Sequence, residues 1–588
     1  MRTPVWHLPI EAHQIIAAEV ILVLAALAVS ISAGRRRFQK LRRINEAFSR
    51  LARQKVLCLV LAGLLPVVFR LAMLPVMPPP QVQVEEEASN LLQADTFASG
   101  RLANPPLPFP DHFDTMQVLQ RPKYVSIRPP GQGAFLALGQ VIFGSPWAGV
   151  CLSVALMCVA VCWMLQGWFA PQWALLGGLL LGIRIGVLSF WMNSYWGGAV
   201  AAAGAALVLG AYPRLVRTNA FRHVFLMWVG IALVLTTRTF EGGVLLIPVA
   251  IAIGIHAFSQ GGATPRRVRL LRVAAPGFLL LVLLATWFAY YNWRTTGSAT
   301  TSTYMLGRQT QNIAPAFMFG KVAPMHHFSN PQMRQRFGGW EMMKYLPMLH
   351  PRGWWMLTTW KIQASWSFYI RPLFTLPLLC IPFFACDRRV RLCLAIVGAG
   401  VVGALLEVWG PPYYFAPYLP VLMILTIQGL RHLHALRFSG SRPGRLFTKL
   451  VPMIALSVFL GLVSLRVCGI HVTGEDVFQW SSYENRMPQR AVVEQLLNEK
   501  PGQHLVFVRY TPRHDFLNEW VFNKADLQDA KVVWAREYEP ERNQQLAAYF
   551  AGRKVWLVKA DDPNAAPEPY PGEGASEYSQ SRSASVQR

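Results

Sequence analysis

The stretch VQVEEEASNLLQADTF (82–97) and its continuation KYVSIRPPGQGAFLALG (123–139) decide how this chain reads. Three consecutive carboxylates, Glu85, Glu86 and Glu87, follow within a few residues of an apolar run at 56–77 that is long enough to cross a bilayer. A Pro-Pro-Gly turn flanked by basic residues closes the loop before the next apolar run. Acids held at a bilayer surface beside cations differ from the scattered charges of a soluble surface. A carboxylate in that setting has its charged form disfavoured and becomes a candidate proton acceptor.

The rest of the chain agrees with a membrane reading. Its 588 residues are 53% hydrophobic and only 15% charged, with a mean hydropathy of +0.30. Apolar runs of roughly 17–25 residues recur, the length that spans a hydrocarbon core of about 30 Å. Twelve spans are expected, at 13–33, 56–77, 145–166, 173–191, 197–213, 224–238, 242–258, 273–291, 373–386, 392–408, 413–430 and 450–468. The net charge of +26 is concentrated in short clusters between these runs. That is the pattern of membrane orientation, and it argues against nucleic-acid binding. The basic cluster Arg35 to Lys55 follows the first run, so that run is not a cleavable signal and the N-terminus is expected outside. All eight cysteines lie in or beside apolar runs, with neither a disulfide framework nor zinc spacing.

The expected architecture is a polytopic α-helical membrane protein of about twelve transmembrane helices with a small C-terminal α/β domain on the non-cytoplasmic side. Residues 1–55 form an extra N-terminal helix and basic cytoplasmic loop. Residues 56–468 form the core, with outer loops 78–144 and 292–354. Residues 469–562 alternate helical and strand patterns, as in RNQQLAAYF (542–550) and KVWLVKA (554–560), and read as the α/β domain. The Pro/Ser/Glu-rich tail 563–588 reads as disordered. Run 135–144 and the aromatic segment 352–370 read as lying along the interface.

Each candidate residue admits two readings. The glutamate triplet suits a general base and also a helix N-terminus, where acids favour the dipole. It could chelate a divalent cation, although no metal site is assigned. Lys123 and Arg128 suit a phosphate leaving group and also an ordinary membrane interface. NSYWGG (193–198) sets Asn193, Tyr195 and Trp196 at the outer mouth of two spans, as substrate contacts or as an aromatic belt. In TRTFEGG (237–243), Arg238 could bind phosphate with Glu241 orienting it, or the two could form a structural pair. EVWGPPYYFAPY (407–418) brings Glu407, Tyr413 and Tyr414, which could line a groove for a sugar or lipid. Arg308, His326 and His327 lack a geometric anchor, and the ionisable residues fall mostly at span ends.

Taken together, EEEASNLLQADTFASGRLANPP (85–106), RPPGQGAFLALGQ (128–140), NSYWGGAV (193–200) and TRTFEGG (237–243) resemble the bacterial multi-pass glycosyltransferases of the GT-C type. That group includes relatives of protein O-mannosyltransferases and of aminoarabinose and lipopolysaccharide-core transferases. The likeness extends into the C-terminal segment through 504–537. It implies transfer of a sugar from a polyprenyl-phosphate donor to an acceptor hydroxyl on a glycan, lipid or protein. The reaction would be inverting and would take place at the periplasmic face of the inner membrane, among membrane lipids. An acidic pair in the first outer loop would fall on Glu86 and Glu87, with Glu86 where relatives carry Asp and Asn90 where they carry Tyr; Glu85 is the alternative register. Lys123, Arg128 and Arg238 would hold the donor phosphate. The rival class is a transporter or flippase of a lipid-linked or anionic substrate, which predicts ionisable groups deep within the spans. A third is a non-catalytic scaffold.

Overall fold

The computed structural model describes residues 10–32, 39–259, 265–437, 442–470, 472–473 and 487–571. Among these, nine helices are long and apolar enough to cross a membrane: Ala12–Ser32, Lys55–Ala72, Pro146–Trp168, Ala199–Thr218, Thr239–Phe258, Leu270–Thr296, Arg388–Leu406, Pro412–Ala435 and Pro443–Val467. The other three expected spans take a different form. Run 173–191 becomes the helix Pro171–Leu181, a widened turn Gly182–Gly186 and then irregular chain. Glycines at 177, 178, 182 and 186 weaken the helix there, and a Cβ on Gly186 would sit 2.7 Å from the Pro66 ring. Run 224–238 is the shorter helix Phe221–Leu235. Run 373–386 splits into Arg371–Leu378 and Ile381–Phe384, with Pro377 and Pro382 at the break.

The helices Pro146–Trp168, Ala199–Thr218 and Pro412–Ala435 are the most buried, while Leu270–Thr296 lies at the periphery. The Ala-rich start of Ala199–Thr218 lets neighbours approach closely. At the crossing with Phe221–Leu235, a Cβ on Gly204 would lie 2.7 Å from the Gly230 carbonyl, and one on Gly230 2.5 Å from the Gly204 carbonyl. Between apolar helices in lipid, such backbone contact supplies much of the attraction. The interfacial expectations take shape as helices with exposed apolar residues. Leu138, Val141, Ile142 and Phe143 are exposed on Pro130–Phe143, as are Trp355, Met356 and Ile362 on Pro351–Ser365.

Ionisable residues are not confined to span ends. Glu19, in the middle of Ala12–Ser32, is 1% exposed. Its Oε2 lies 2.9 Å from Arg371 Nε, its Oε1 lies 3.7 Å from Arg184 Nη1, and Oε1 also accepts from the Leu373 amide. This triad ties the first helix to the core.

The C-terminal segment forms a four-stranded sheet in the order Val532–Arg536, His504–Arg509, Lys554–Lys559, Glu568–Pro569. The first three strands are parallel and the last is antiparallel. Both faces of the central strand are buried: Leu505 and Phe507 on one, Val506 and Val508 on the other. The helices Pro488–Glu499 and Pro540–Tyr549 accompany it. The disordered tail expected from 563 begins too early. Glu568–Pro569 pairs with Trp556 and Leu557, and Tyr570 packs on Phe507 and receives a hydrogen bond from Asn543. Residues 572–588 lie outside the described set.

The three polar regions expected on one face pack together. Phe113 of the first loop joins the core of Leu505, Phe507 and Leu546. Asp95 accepts from the Ala525 amide at 2.7 Å, and Arg536 donates to Gln332 at 2.6 Å. Met116, Ile313, Phe337 and Phe516 share a further apolar cluster.

Candidate active site

The glutamate triplet opens the helix Glu85–Ala98, and all three side chains are buried. A helix turns about 100° per residue, so three successive side chains leave in three directions. Glu87 points inward and is 0% exposed. Its Oε2 accepts from the Gln83 amide at 2.6 Å and its Oε1 from the Tyr195 amide at 2.9 Å. Glu86 meets Arg128 Nη1 at 3.4 Å, and the Tyr413 hydroxyl donates to both its oxygens at 3.2 Å. Glu85 faces Arg336, with Nη2 at 3.5 Å.

Glu85 and Glu86 open onto a cavity of about 400 Å³ at the end of the helical bundle. Its wall brings together distant segments: Arg128 from the first loop, Trp196, Arg308, Arg336 and Lys344 from the second loop, Lys361, and Tyr413. Leu517 of the C-terminal domain completes it. Five cations, Arg128, Arg308, Arg336, Lys344 and Lys361, face three carboxylates, Glu85, Glu86 and Glu341.

Local structure sets each of these groups. The hairpin of Val118–Leu119 with Val125–Ser126 fixes the approach to Arg128. Ser89 Oγ donates to the Gln117 carbonyl, and the Ser89 and Ser126 hydroxyls lie 2.6 Å apart, fastening that hairpin to the glutamate helix. Ser302 caps the helix Thr303–Thr310, which presents Arg308. Asn330 caps the start of the segment that carries Arg336, Trp340, Glu341 and Lys344. Lys361 donates to the Ala404 carbonyl at 2.9 Å and to the Glu407 carbonyl.

Burial governs the proton affinities. It raises the Glu85 carboxyl, against the pull of Arg336. It raises Glu341 too, although Arg336 and the Asn312 amide at 2.8 and 3.0 Å oppose it. Burial works against the Arg128 charge, but Glu86 and neighbouring tyrosines outweigh it and hold the guanidinium protonated. Lys361 is pushed down to about 8, and Glu407 behind it is pushed well up by burial and by Glu241. The site thus combines a carboxylate able to accept a proton with cations able to hold an anion.

No family model matches this sequence, and no curated protein matches it either. Among solved structures it is similar to the oligosaccharyltransferase of Archaeoglobus fulgidus in its apo form, at 12% identity and a TM-score of 0.45, over 86% of this chain and 69% of that one. The same values hold for AglB of that organism in complex with an inhibitory peptide and a dolichol-phosphate. ArnT from Cupriavidus metallidurans, bound to undecaprenyl phosphate, is similar at 13% identity and a TM-score of 0.43, over 85% of this chain and 92% of that one.

The residues singled out in the sequence divide sharply. Glu86, Arg128, Trp196, Tyr413 and Tyr414 line the cavity. Glu87 does not; it holds the NSYWGG loop by its backbone. Asn193 is a strut as well: it accepts from Arg70 Nε at 2.6 Å and donates to the Val187 and Ser189 carbonyls. Tyr195 donates its hydroxyl to the Pro80 carbonyl and likewise serves the loop. The loop needs its glycines, since Gly197 and Gly198 have φ of +91° and +133° and Gly198 packs against the Trp191 ring. Lys123 is exposed and is not a wall residue. Arg238 lies behind the wall, 4.6 and 4.7 Å from the Tyr413 and Tyr414 rings, with Glu241 as its electrostatic partner. The three glutamates do not converge on one point, so the triplet is no chelate. Among the described residues no group of three or more His, Cys, Asp or Glu could hold a metal ion, and His326 and His327 join none. Arg336, Trp340, Glu341, Lys344 and Lys361 were not anticipated. Only the aromatic and basic character of 331–361 hinted at them.

Proposed function

We propose that this chain is a membrane glycosyltransferase that takes its sugar from a polyprenyl-phosphate donor. The observation that carries the reading is one cavity holding the Glu85 and Glu86 carboxylates beside five cations, at the mouth of a bundle of membrane-length helices. A sugar-phosphate headgroup sits in such a cavity while its polyprenyl tail remains among the spans. Glu86 takes the proton of the acceptor hydroxyl. The freed oxygen attacks the anomeric carbon in line, the bond from that carbon to the phosphate oxygen breaks, and polyprenyl phosphate leaves with the electron pair. The anomeric configuration inverts. Arg128, shared between Glu86 and the phosphate, neutralises the leaving group with help from Arg308 and Lys361. Tyr413 fixes the carboxylate. The cavity and the C-terminal domain face the periplasm, and the acceptor is a glycan, lipid or protein hydroxyl. The test is release of polyprenyl phosphate from a panel of polyprenyl-phosphate sugars, by wild type and Glu86→Gln in nanodiscs. Release that survives the substitution unchanged removes Glu86 from the mechanism.

One observation favours transport of an anionic substrate: the Glu19–Arg184–Arg371 triad is built on the middle of one span, with one more positive than negative charge. None of the three residues lines the cavity, and their exposures of 1–4% leave no room for a passing solute. Counterflow of a labelled donor across a sealed vesicle, without sugar transfer, is the result that would favour transport.

A further inference from the structure

The cavity draws its cations from different segments, and the donor phosphate accounts for those around Arg128. The neighbouring carboxylates separate them. Glu86 meets Arg128, which comes from the first loop, whereas Glu85 meets Arg336, which comes from the second. Arg336 is 9% exposed, yet Nη2 alone has a partner, at the long distance of 3.5 Å. Its Nε and Nη1 have no hydrogen-bond partner among the described residues. A guanidinium so buried and so sparsely bonded is costly unless a ligand completes it. The surroundings suit a sugar that bears a charge. Arg336 and Lys344 both lie over the Trp340 ring, at 4.0 and 4.1 Å, and Trp409 stacks on it at 5.4 Å with the planes 9° apart. Trp360 adds a third indole to the wall. Phe516 of the C-terminal domain meets Trp340 at 5.9 Å and Arg336 at 5.7 Å, and Leu517 beside it reaches the cavity. This end is therefore assembled where the second loop meets the C-terminal domain, whereas Arg128 comes from the first loop.

The charge balance points the same way. The wall carries five cations against three carboxylates. A sugar phosphodiester brings a single negative charge to this predominantly cationic wall.

We propose that the Arg336–Trp340–Lys344 end binds an anionic group on the acceptor: a carboxylate or phosphate on the sugar that receives the transferred residue. The proposal rests on the glycosyltransferase reading above and adds a substrate class to it. Trp360 and Trp409 flank the sugar, Arg336 and Lys344 take the anion beside Trp340, and Glu86 is left to reach the hydroxyl.

The test uses the full chain in nanodiscs saturated with undecaprenyl phosphate, so that the donor phosphate position is filled. Glucuronate, glucose 1-phosphate and glucose are then titrated, with tryptophan fluorescence as the readout. Expected is binding of at least one acid about tenfold or more tighter than glucose, with the tighter acid naming carboxylate or phosphate as the source. Arg336→Gln abolishes the preference and Arg336→Lys keeps part of it, while undecaprenyl phosphate still binds. Equal binding of acid and neutral sugar by wild type overturns the proposal, even if the variant fails to fold. So does acid binding only when undecaprenyl phosphate is absent, since the second anion would then be the donor's own. An unchanged acid preference in Arg336→Gln overturns it as well. Failure of the donor-release assay sinks the glycosyltransferase reading separately and leaves the binding result standing.

Discussion

Two clusters in this protein are built from the same parts, acidic side chains facing arginines, and they do different work. In the triad, Glu19 is fixed by Arg371, Arg184 and the Leu373 amide, and each side chain is at most 5% exposed. In the cavity, Glu85 and Glu86 meet single arginines at 3.4–3.5 Å and look onto about 400 Å³ of open space. What separates a strut from a site is thus the free volume beside the charges. A closed cluster spends its Coulomb energy on holding helices together. An open one keeps that energy for a ligand.

The comparison is broken most directly at Glu86. Glu86→Gln should lower the turnover number about 10²–10⁴-fold, as expected for loss of a general base, with a smaller loss of stability than at Glu19 because Arg128 still faces the open cavity. A steady-state release assay and a thermal melt on one preparation check this. Glu19→Gln should do the reverse. It leaves two buried arginines without their counter-charge and should cost about 3–5 kcal/mol of stability, while the turnover number of the surviving folded protein is retained. Equal loss of both properties in both variants would dissolve the distinction between strut and site.

Glu87→Gln sharpens the contrast within one helical turn. It removes one of two charge-assisted bonds to backbone amides, worth about 1.5–3 kcal/mol. The melt should fall, and activity should follow the folded fraction.

Asp114 is a third case, half-buried and, among the described residues, without a close ion pair of its own, since the nearby Arg536 is committed to Glu519 at 2.6 Å. Burial, with Asp111 and Glu519 adding to it, pushes this carboxyl from 3.8 up to about 7. The native state then holds the proton more tightly than the unfolded chain does. Stability from this group is complete below about pH 4 and is lost as the pH rises towards 7. Melts across pH 4–8 should show that decline for wild type and a flatter profile for Asp114→Asn. The smallest effect is expected at Lys123, which is exposed and off the wall. Lys123→Ala should change stability by under about 0.5 kcal/mol and leave polyprenyl-phosphate release unaltered.

Much of the scaffold could be read directly because run length and hydropathy are local properties. Nine of the expected spans are helices of membrane length. Two of the others departed where glycine at 182 and 186, or proline at 377 and 382, interrupted an apolar run whose average hydropathy still looked continuous, and the third is the shorter helix Phe221–Leu235. Glu19 was missed for the same reason, because one acid barely moves the mean of a 21-residue helix. In the C-terminal domain, the short β-branched and aromatic run HLVFVR (504–509) was enough to locate a strand, whereas nothing in residues 563–570 foretold the edge pairing at Glu568–Pro569, which depends on a partner strand already in place.

The site divides along the same line. The sequence by itself determined that most acids, cations and aromatics gather at the ends of spans, because the bilayer excludes charge and therefore sorts residues by position along the chain; Glu19 is the exception. It did not determine that Glu86 faces a cavity while Glu87 is sealed against the Tyr195 amide, or that Asn193 braces Arg70. Nor did it reveal Arg336, Trp340 and Leu517 as walls of the same space. Those assignments depend on helix phase, about 100° per residue, and on which direction packing leaves empty. The packing is decided by segments 108 to 430 residues away, and only the folded chain brings them together.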